Sequence, residues 1–313
     1  MAESRLIDVH HHFLPDSYRE AVDRSGNNPP DGIVRLPDWS ESEALRFLDS
    51  MGIETAYLSI SSPGLVLDGA DVPGLARMVN DSAADLVERH PGRFGSFAAL
   101  PLPDVEASLA EIARALDDLH LDGIGLLTHH GDAYLGDPAF DTVFDELERR
   151  RAVVFIHPTS PVCCEPAALG FPRPGVEFIF DTARTVMNLI YSGTLDRCPG
   201  ISWIVPHGGG ALPVLSARLD AVRLMAPERC QANEPVATYL HRFHYDLAGP
   251  RTDDALLALL GIADPSRLLY GSDWPFTAEP GVARMLDDLR ATSLFAGPVD
   301  GVLTANAQRL LRQ

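Results

Sequence analysis

Three consecutive histidines, His10 to His12, end the first apolar segment of the chain, which begins at Leu6. Residues two positions apart in an extended strand point to the same side. His10 and His12 can therefore face one metal ion together, while His11 points away. Imidazole nitrogens are typical ligands of divalent transition metals. These histidines are unlike the remains of an affinity tag, because they lie within an apolar segment.

Three more candidate ligands end three other apolar segments. His157 precedes Pro158, His207 precedes three glycines, and Asp273 lies in a Gly-Ser-Asp-Trp-Pro-Phe motif. A single histidine in such a place is usually a hydrogen-bonded structural residue. Together with the His-x-His pair, however, these residues form a nitrogen- and oxygen-rich set that suits one divalent transition metal.

The elements that must position these residues are eight short, almost continuously apolar segments, typical of buried parallel strands. Helical patterns lie between them, at 104–120, 140–150, 182–195, 211–225 and 252–260. The alternation predicts an α/β fold, a (β/α)8 TIM barrel, as a single domain over residues 1–313. A doubly wound open sheet is the alternative, although no Gly-rich nucleotide turn follows the first strand. The expected strands cover residues 6–10, 55–60, 94–100, 123–127, 152–157, 201–207, 243–247 and 268–273.

In a barrel, active sites form at the C-terminal ends of the strands, which is where the candidate ligands lie. Two long loops start at the same end. Residues 15–39, after the first strand, are polar and rich in proline and glycine, and we expect them to form an insertion over the barrel mouth. Residues 158–174 follow the fifth strand and are expected to shape a substrate pocket.

The charged residues exclude several classes of function. All 25 basic residues are arginine, and with 44 acidic residues the net charge is −19. A chain without lysine forms no lysine Schiff base, no Walker A phosphate loop and no carboxylated-lysine bridge between two metals. The acidity argues against nucleic acids and anionic membranes as partners, because both attract a basic surface.

The sequence also predicts a cytoplasmic protein. Its first residues lack the basic and apolar regions of a signal peptide, and no apolar run reaches the roughly 18 residues of a membrane-spanning helix. The cysteines lack zinc-ribbon spacing and are expected to stay reduced. They are Cys163, Cys164, Cys198 and Cys230.

The ordered motifs of the chain resemble the amidohydrolase superfamily. Within it, the chain is most similar to the branch of metal-dependent decarboxylases typified by aminocarboxymuconate-semialdehyde decarboxylase, which includes 6-methylsalicylate decarboxylase-like enzymes. The resemblance covers nearly the whole chain. It is carried by the motifs at residues 7–15, 79–81, 155–158, 188–193, 207–210, 271–276 and 306–311.

This resemblance implies a role for each candidate ligand. His10, His12, His157 and Asp273 would bind one divalent metal, with water as a further ligand, and His207 would be the catalytic acid or base. The metal of the family is usually zinc, with manganese in some salicylate-type members. The absence of lysine agrees with this mononuclear branch.

The implied function is the non-oxidative decarboxylation of a small aromatic or conjugated carboxylic acid. In one route, His207 activates metal-bound water, which adds to a conjugated substrate before carbon dioxide leaves. In the other, a phenolic acid chelates the metal, and His207 or Asp273 protonates the ring carbon as carbon dioxide departs. The main alternative is a metal-dependent hydrolase of a lactone, ester or amide. A non-catalytic barrel is disfavoured, because all the metal and acid/base positions are filled.

A carboxylate substrate needs cationic anchors in so acidic a chain, and arginine pairs bidentately with carboxylates. Arg218, on the helix after the sixth strand, matches a family arginine that reaches into the neighbouring subunit's site, which implies a homodimer. Arg35, in the first long loop, falls near the position of a second substrate-binding arginine. The alternative for each is a surface or interface salt bridge.

Several other polar and aromatic residues lie near the expected strand ends. Trp274 and Phe276 follow the candidate aspartate and would form an aromatic wall for a flat substrate, or else pack in the core. Asp246 ends the seventh strand, where a capping role is the expectation and a position facing the site is the alternative. His129 and His130 end the fourth strand, where we expect hydrogen-bonded structural roles, with contact of one of them with the substrate as the alternative.

Overall fold

The computed structural model describes residues 6–26, 30–161, 163–249 and 252–311. Eight parallel strands form one sheet, in the order in which they follow one another along the chain, and a short two-stranded hairpin comes after the fourth of them. The strands are β1 Leu6–His12, β2 Ile53–Ser59, β3 Phe94–Ala99, β4 Gly123–Leu127, β5 His129–His130, β6 Ala133–Tyr134, β7 Val153–His157, β8 Ser202–Val205, β9 His244–Asp246 and β10 Leu268–Leu269.

The first and last strands of the sheet meet and nearly close it into a barrel. Asp8 and Tyr270 form a parallel bridge, and the Val9 amide donates to the Tyr270 carbonyl over 3.0 Å. Further along, the His12 amide donates to the Trp274 carbonyl over 2.8 Å. The predicted (β/α)8 barrel is therefore confirmed, and the open-sheet alternative is wrong.

Helices surround the barrel, and their apolar sides pack on the strands. In α2, Glu41–Met51, for example, Ser40 caps the first turn, Gly52 ends the helix in a left-handed conformation, and Phe47 and Leu48 are buried. The helices are α1 Asp16–Arg24, α2 Glu41–Met51, α3 Val72–Arg89, α4 Val105–Ala113, α5 Asp141–Arg150, α6 Glu177–Tyr191, α7 Thr194–Arg197, α8 Leu212–Met225, α9 Val236–Leu240, α10 Asp253–Leu260, α11 Glu279–Ala291 and α12 Val299–Leu311.

The interior of the barrel is filled by side chains from several strands. Ile7 and Val9 of β1, Phe97 of β3 and Phe155 of β7 form a buried cluster that is distinct from the larger core between strands and helices. Leu310 of α12 joins this inner cluster. The barrel is therefore packed rather than hollow, as expected for this architecture.

The insertion after β1 has more structure than its sequence suggests. It contains α1 and a 3₁₀ turn at Pro30–Gly32, in which Asp31 adopts a left-handed backbone conformation. Asp31 and Ile33 line a cavity at the C-terminal end of the barrel, as expected for an insertion over the mouth. Among the described residues, no helix combines the length and the hydropathy needed to cross a bilayer.

The helix expected over residues 104–120 is shorter than predicted. Helix α4 ends at Ala113 and continues as a π-helical turn, Arg114–Asp118, which is closed by a 2.9 Å hydrogen bond from the Leu119 amide to the Arg114 carbonyl. Such a turn keeps the apolar spacing approximately helical, so that the sequence pattern does not reveal the change.

Candidate metal centre and active site

Four side chains from distant parts of the chain meet at the C-terminal end of the barrel. The Nε2 atoms of His10 and His12 lie 3.0 Å apart, and Asp273 Oδ1 lies 3.4 and 3.3 Å from them. His157 completes the set, in which all ligand atoms lie within 4.8 Å of one another. Atoms about 2.1 Å from a shared tetrahedral ion lie roughly 3.4 Å apart, so these spacings fit a metal site.

The three histidines are oriented by acceptors on their outer ring nitrogens. His10 Nδ1 contacts Asp246 Oδ2 at 2.9 Å, His12 Nδ1 contacts the Ser59 carbonyl at 3.1 Å, and His157 Nδ1 contacts the Pro158 carbonyl at 2.8 Å. Because carboxylates and carbonyls only accept hydrogen bonds, each Nδ1 carries the proton. Each Nε2 then points into the shared space, where a nitrogen without its proton can coordinate a metal.

Asp246 has a larger role than the capping function expected from sequence. One carboxylate oxygen accepts a hydrogen bond from His10, and the other accepts hydrogen bonds from the backbone N–H groups of His207 and Ala248, both over 3.0 Å. This buried carboxylate therefore joins a candidate metal ligand to the backbone of the candidate acid/base. Its position at the end of a barrel strand was the only signal for this role.

His207 lies at the rim of the centre, with its Nε2 3.8 Å from Asp273 Oδ2. Its backbone has a positive φ of 54°, and the following glycines, Gly208 to Gly210, all have positive φ as well. A Cβ on Gly210 would lie 2.5 Å from the Ile179 carbonyl oxygen, so this turn requires glycine. The His207 side chain is 14% exposed, which leaves its ring open to the cavity beside the centre.

The electrostatics of the centre favour an ionised aspartate among mostly neutral imidazoles. Burial by itself raises the pKa of Asp273, but hydrogen bonds from His10, His12 and His207 outweigh it and hold that pKa well below its usual range. Burial lowers the pKa of His157 strongly and that of His12 as well.

His10 differs from the other two candidate histidine ligands. Burial lowers its pKa, but the nearby carboxylates Asp246 and Asp273 outweigh this effect and raise the pKa to about 10. A metal held by His10 would therefore displace a proton, as is usual for such sites. One carboxylate and three imidazoles form a donor set that fits a single divalent transition metal.

A cavity of about 180 Å³ opens beside the centre. His157, His207 and Asp273 form its floor. Its walls come from the two long loops, from the loop after β2, from α6 and from the segment after β10. Sequence reasoning did not single out most of these wall residues, because nothing in their local pattern marks them. They are Asp31, Ile33, Ser61, Ser62, Pro174, Phe178 and Ile179, together with Phe276.

The two aromatic residues after Asp273 have different surroundings. Phe276 lines the cavity, and its ring meets that of His12 edge-on at 5.4 Å. Trp274 is only 7% exposed and stacks against both His11 and Phe47, at 4.9 and 5.0 Å. The substrate-wall interpretation of Trp274 therefore gives way to core packing, because its ring lies on the side of β1 that faces away from the centre.

Neither candidate arginine reaches the cavity within the chain. Arg35 is 73% exposed and pairs with Asp38 over 3.1 Å. Arg218 lies exposed on α8 and makes no ion pair with any described residue. His129 and His130 are buried at the β5–β6 hairpin, where His129 Nδ1 contacts the Gly131 carbonyl at 2.9 Å, in agreement with a structural role.

Comparison with known proteins identifies the family of this chain. A family model described as amidohydrolase matches residues 7–313. The chain belongs to the amidohydrolase family. A relative, the 6-methylsalicylic acid decarboxylase of Aspergillus aculeatus, is 37% identical over 287 residues, which cover 89% of this chain and 86% of the relative.

Two solved structures have folds closely similar to that of this chain. One is 2,6-dihydroxybenzoate decarboxylase in complex with 2,6-dihydroxybenzoate, with a TM-score of 0.83, 26% identity and full coverage of both chains. The other is a dihydroxybenzoic acid decarboxylase from Polaromonas with bound manganese and 2-nitroresorcinol. It has a TM-score of 0.84 and 23% identity, and the alignment covers 99% of this chain and 97% of that one.

Proposed function

We propose that this amidohydrolase is a metal-dependent, non-oxidative decarboxylase, a carbon–carbon lyase that acts on a small aromatic carboxylic acid. The observation that carries the proposal is the set of His10, His12, His157 and Asp273 beside a small cavity that His207 lines. The relative from Aspergillus aculeatus, which acts on 6-methylsalicylic acid, supports this class of substrate.

The four clustered side chains would hold one divalent metal. Zinc is our first choice, because three imidazoles and one carboxylate suit it, and manganese, which is bound in the Polaromonas structure, is the alternative. When bound, the metal would neutralise the carboxylate or an adjacent oxygen of the substrate.

The size and lining of the cavity support a single-ring substrate. Its volume of about 180 Å³ lies below the range of pockets for drug-sized ligands. Phe276 and Phe178 offer aromatic surfaces to a flat ring, and the hydroxyls of Ser61 and Ser62 offer hydrogen bonds to its substituents.

His207 is the better proton donor of the two candidates left open by the sequence. Asp273 has a strongly lowered pKa and so carries no proton near neutral pH, whereas His207 lines the cavity with a ring that can donate a proton to a bound substrate. In the proposed step, the bond between the ring carbon and the carboxylate carbon breaks and its electron pair stays on the ring. The proton of His207 then takes the place of the departing carbon dioxide.

The test uses purified protein of measured metal content and a panel of single-ring phenolic acids and unsaturated acids, followed by carbon dioxide release and product mass. We expect His10→Ala and Asp273→Ala to lose both metal and turnover. His207→Gln should keep the metal and lose about 10²- to 10⁴-fold in rate. His120→Gln, at an exposed position, is the matched control. Water uptake without carbon dioxide release would contradict the proposal and indicate a hydrolase.

The proposal includes a homodimer that is built on α8. Val214 and Met225 are 77% and 83% exposed, and Arg218 lies between them on the same face of the helix. Such an apolar face with a central arginine is typical of an interface between subunits. In the dimer, Arg218 would serve as a carboxylate anchor in the partner's site.

Mixed dimers test this arrangement. An Arg218→Ala subunit combined with a His207→Ala subunit should regain part of the activity if Arg218 acts in the neighbouring site. No recovery after verified subunit exchange would contradict it, as would a monomeric mass in solution.

A further inference from the structure

A second cavity lies at the opposite end of the barrel from the candidate metal centre. Its volume is about 330 Å³, and it is lined by residues at the N-terminal ends of β7 to β10 and by α12. Ser202, at the start of β8, lines it, whereas His207, just beyond the end of β8, lies in the metal centre. At about 3.3 Å per residue, these two positions are roughly 16 Å apart. We call this second site the basal cavity.

The lining of the basal cavity is strongly cationic. It includes Arg151, Arg242, Arg267 and Arg309, and none of its 16 residues is an aspartate or a glutamate. This composition contrasts with the chain as a whole, whose net charge is −19. Four guanidinium groups around one concave space repel one another unless an anion lies between them.

Nearby carboxylates are engaged elsewhere. Glu148 accepts the backbone N–H groups of Gly200 and Ile201 over 2.7 and 3.1 Å, and Asp264 accepts that of Ser266 over 2.8 Å. Among the described residues, no carboxylate forms an ion pair with Arg151, Arg242 or Arg267. Within the described part of the chain, these three guanidinium groups therefore have no carboxylate at ion-pair distance, although Asp264 interacts with the charge of Arg267 at longer range.

Two of the guanidinium groups are fixed at the cavity wall by backbone carbonyls. Arg242 Nη2 donates to Leu195 over 3.2 Å, and Arg267 Nη1 donates to the carbonyl of Arg242 over 2.9 Å. A guanidinium group has five N–H donors, so most of them remain available for a ligand. Groups held in this way lose little conformational freedom when an anion binds.

Buried polar atoms in the wall lack partners as well. Neither the indole N–H of Trp203 nor Nδ1 of His244 makes a hydrogen bond with the described residues, although both side chains are more than nine-tenths buried. Burial lowers the pKa of His244 to about 4, and the charge of Arg267 contributes to this shift. The imidazole is therefore neutral at pH 7, and the positive potential comes from the arginines.

We propose that the basal cavity binds a compact oxyanion with at least two negative charges, such as the phosphoryl group or the paired carboxylates of a small metabolite. Arginine forks match such oxyanions bidentately. The site is separate from the proposed decarboxylation, and the inference does not rest on that function. A bound oxyanion would link the segments that precede β7, β9 and β10, and so stabilise this side of the barrel.

The test measures binding of inorganic phosphate to the metal-loaded full chain by calorimetry and by thermal unfolding, at ionic strength held constant with chloride. Succinate serves as the dicarboxylate probe. We expect at least one of the two to bind saturably and to raise Tm above the chloride baseline. The double variant Arg151→Gln/Arg242→Gln should weaken that binding about tenfold or more. Both side chains are exposed, so the fold should be preserved.

The matched control is Arg229→Gln/Arg284→Gln, which removes the same charge from two exposed arginines paired with Glu228 and Asp288. Binding should be unchanged in this control. Circular dichroism and metal content establish that each variant is folded. Equal affinity in both double variants would overturn the proposal, because the anion would then bind elsewhere. A Tm shift no larger than that with chloride, with no heat of binding, would also overturn it.

Discussion

At the residue scale, the candidate centre depends on a carboxylate that does not itself face the shared space. Asp246 accepts from Nδ1 of His10 and, through its other oxygen, from the backbone of His207. It therefore fixes the ring of one ligand and the position of the acid/base at once. Carboxylates in this position orient metal ligands and increase their basicity.

Asp246→Asn should weaken metal affinity about 10- to 100-fold, because the charge that orients His10 is lost. The measurement is metal affinity by competition with a chelator, together with metal content after dialysis. Asp264→Asn, which alters a carboxylate that caps a turn at the opposite end of the barrel, is the control. Unchanged metal affinity in Asp246→Asn would contradict the role assigned to this residue.

Substitutions of the two aromatic residues after Asp273 should change different properties, substrate binding in one case and stability in the other. Phe276→Ala should raise KM for an aromatic acid about tenfold, because the ring lines the cavity, and should leave stability nearly unchanged. Trp274→Ala should cost about 3–5 kcal/mol of unfolding free energy, because its buried ring packs against both His11 and Phe47. Denaturant unfolding and steady-state kinetics measure the two effects. A large loss of stability in Phe276→Ala together with unchanged stability in Trp274→Ala would contradict the structure.

The sequence predicted the candidate ligands much better than the cavity walls. Histidine and aspartate at strand ends carry a chemical signature, and the two-residue period of a strand places His10 and His12 on one side. Ser61, Ile33 and Phe178 carry no such signature, because their role arises only when distant loops and α6 meet above the barrel. The packing role of Trp274 could not be predicted for the same reason, since its stacking partner Phe47 belongs to α2.

At the scale of elements, the turn after β8 decides where His207 lies. Gly210 has φ +59°, and an added Cβ would lie 2.5 Å from a backbone oxygen of Ile179, which is part of α6. The turn therefore fits against this helix only when glycine is present. The position of the turn against the start of α6, and with it the position of His207, therefore depends on Gly210 having no side chain.

Gly210→Ala should reduce turnover more than tenfold and destabilise the fold by about 1–3 kcal/mol, because the turn must move away from α6. Gly92→Ala is the control, since Gly92 also has a positive φ of 79° but has open space around its Cβ position. It should cost only about 1 kcal/mol and leave kcat unchanged. Turnover and thermal unfolding of the two variants give the comparison, and equal effects would argue against steric control of this turn.

All eight barrel strands could be predicted from sequence, because parallel strands buried on both sides are almost continuously apolar. The β5–β6 hairpin and α1 were not predicted, and no separate helix was predicted for α2, α3, α7, α9, α11 or α12. The hairpin strands have only two residues each, and α1 lies in a segment whose prolines and glycines indicate a loop. Such elements depend on contacts with the barrel more than on their own periodicity.

At the scale of the whole molecule, two buried histidines link stability to pH. Burial lowers the pKa of His130 to about 3, with His129 contributing, and lowers that of His244 to about 4. In the unfolded chain both would titrate near 6.5. Between these values the unfolded state binds more protons than the folded state, so stability falls as the pH decreases from about 6.5 towards 4.

Each of these histidines should contribute a slope of up to about 1.4 kcal/mol per pH unit in that window. His130→Gln should reduce the slope of unfolding free energy against pH between pH 4.5 and 6.5. The exposed His120→Gln should not change it. Denaturant unfolding at several pH values measures the slopes, and identical slopes in His130→Gln and in the unmodified chain would contradict the neutral state assigned to His130.

The meeting of β1 with the segment after β10 also has a consequence for the time course of synthesis. His10 and His12 are made at the start of the chain, whereas Asp273 follows about 260 residues later. At roughly 5–20 residues per second, the ribosome adds Asp273 some 13 to 50 s after the histidine pair. During this interval a nascent chain has at most part of the donor set, so a metal can be captured by the complete set only when the barrel is nearly finished.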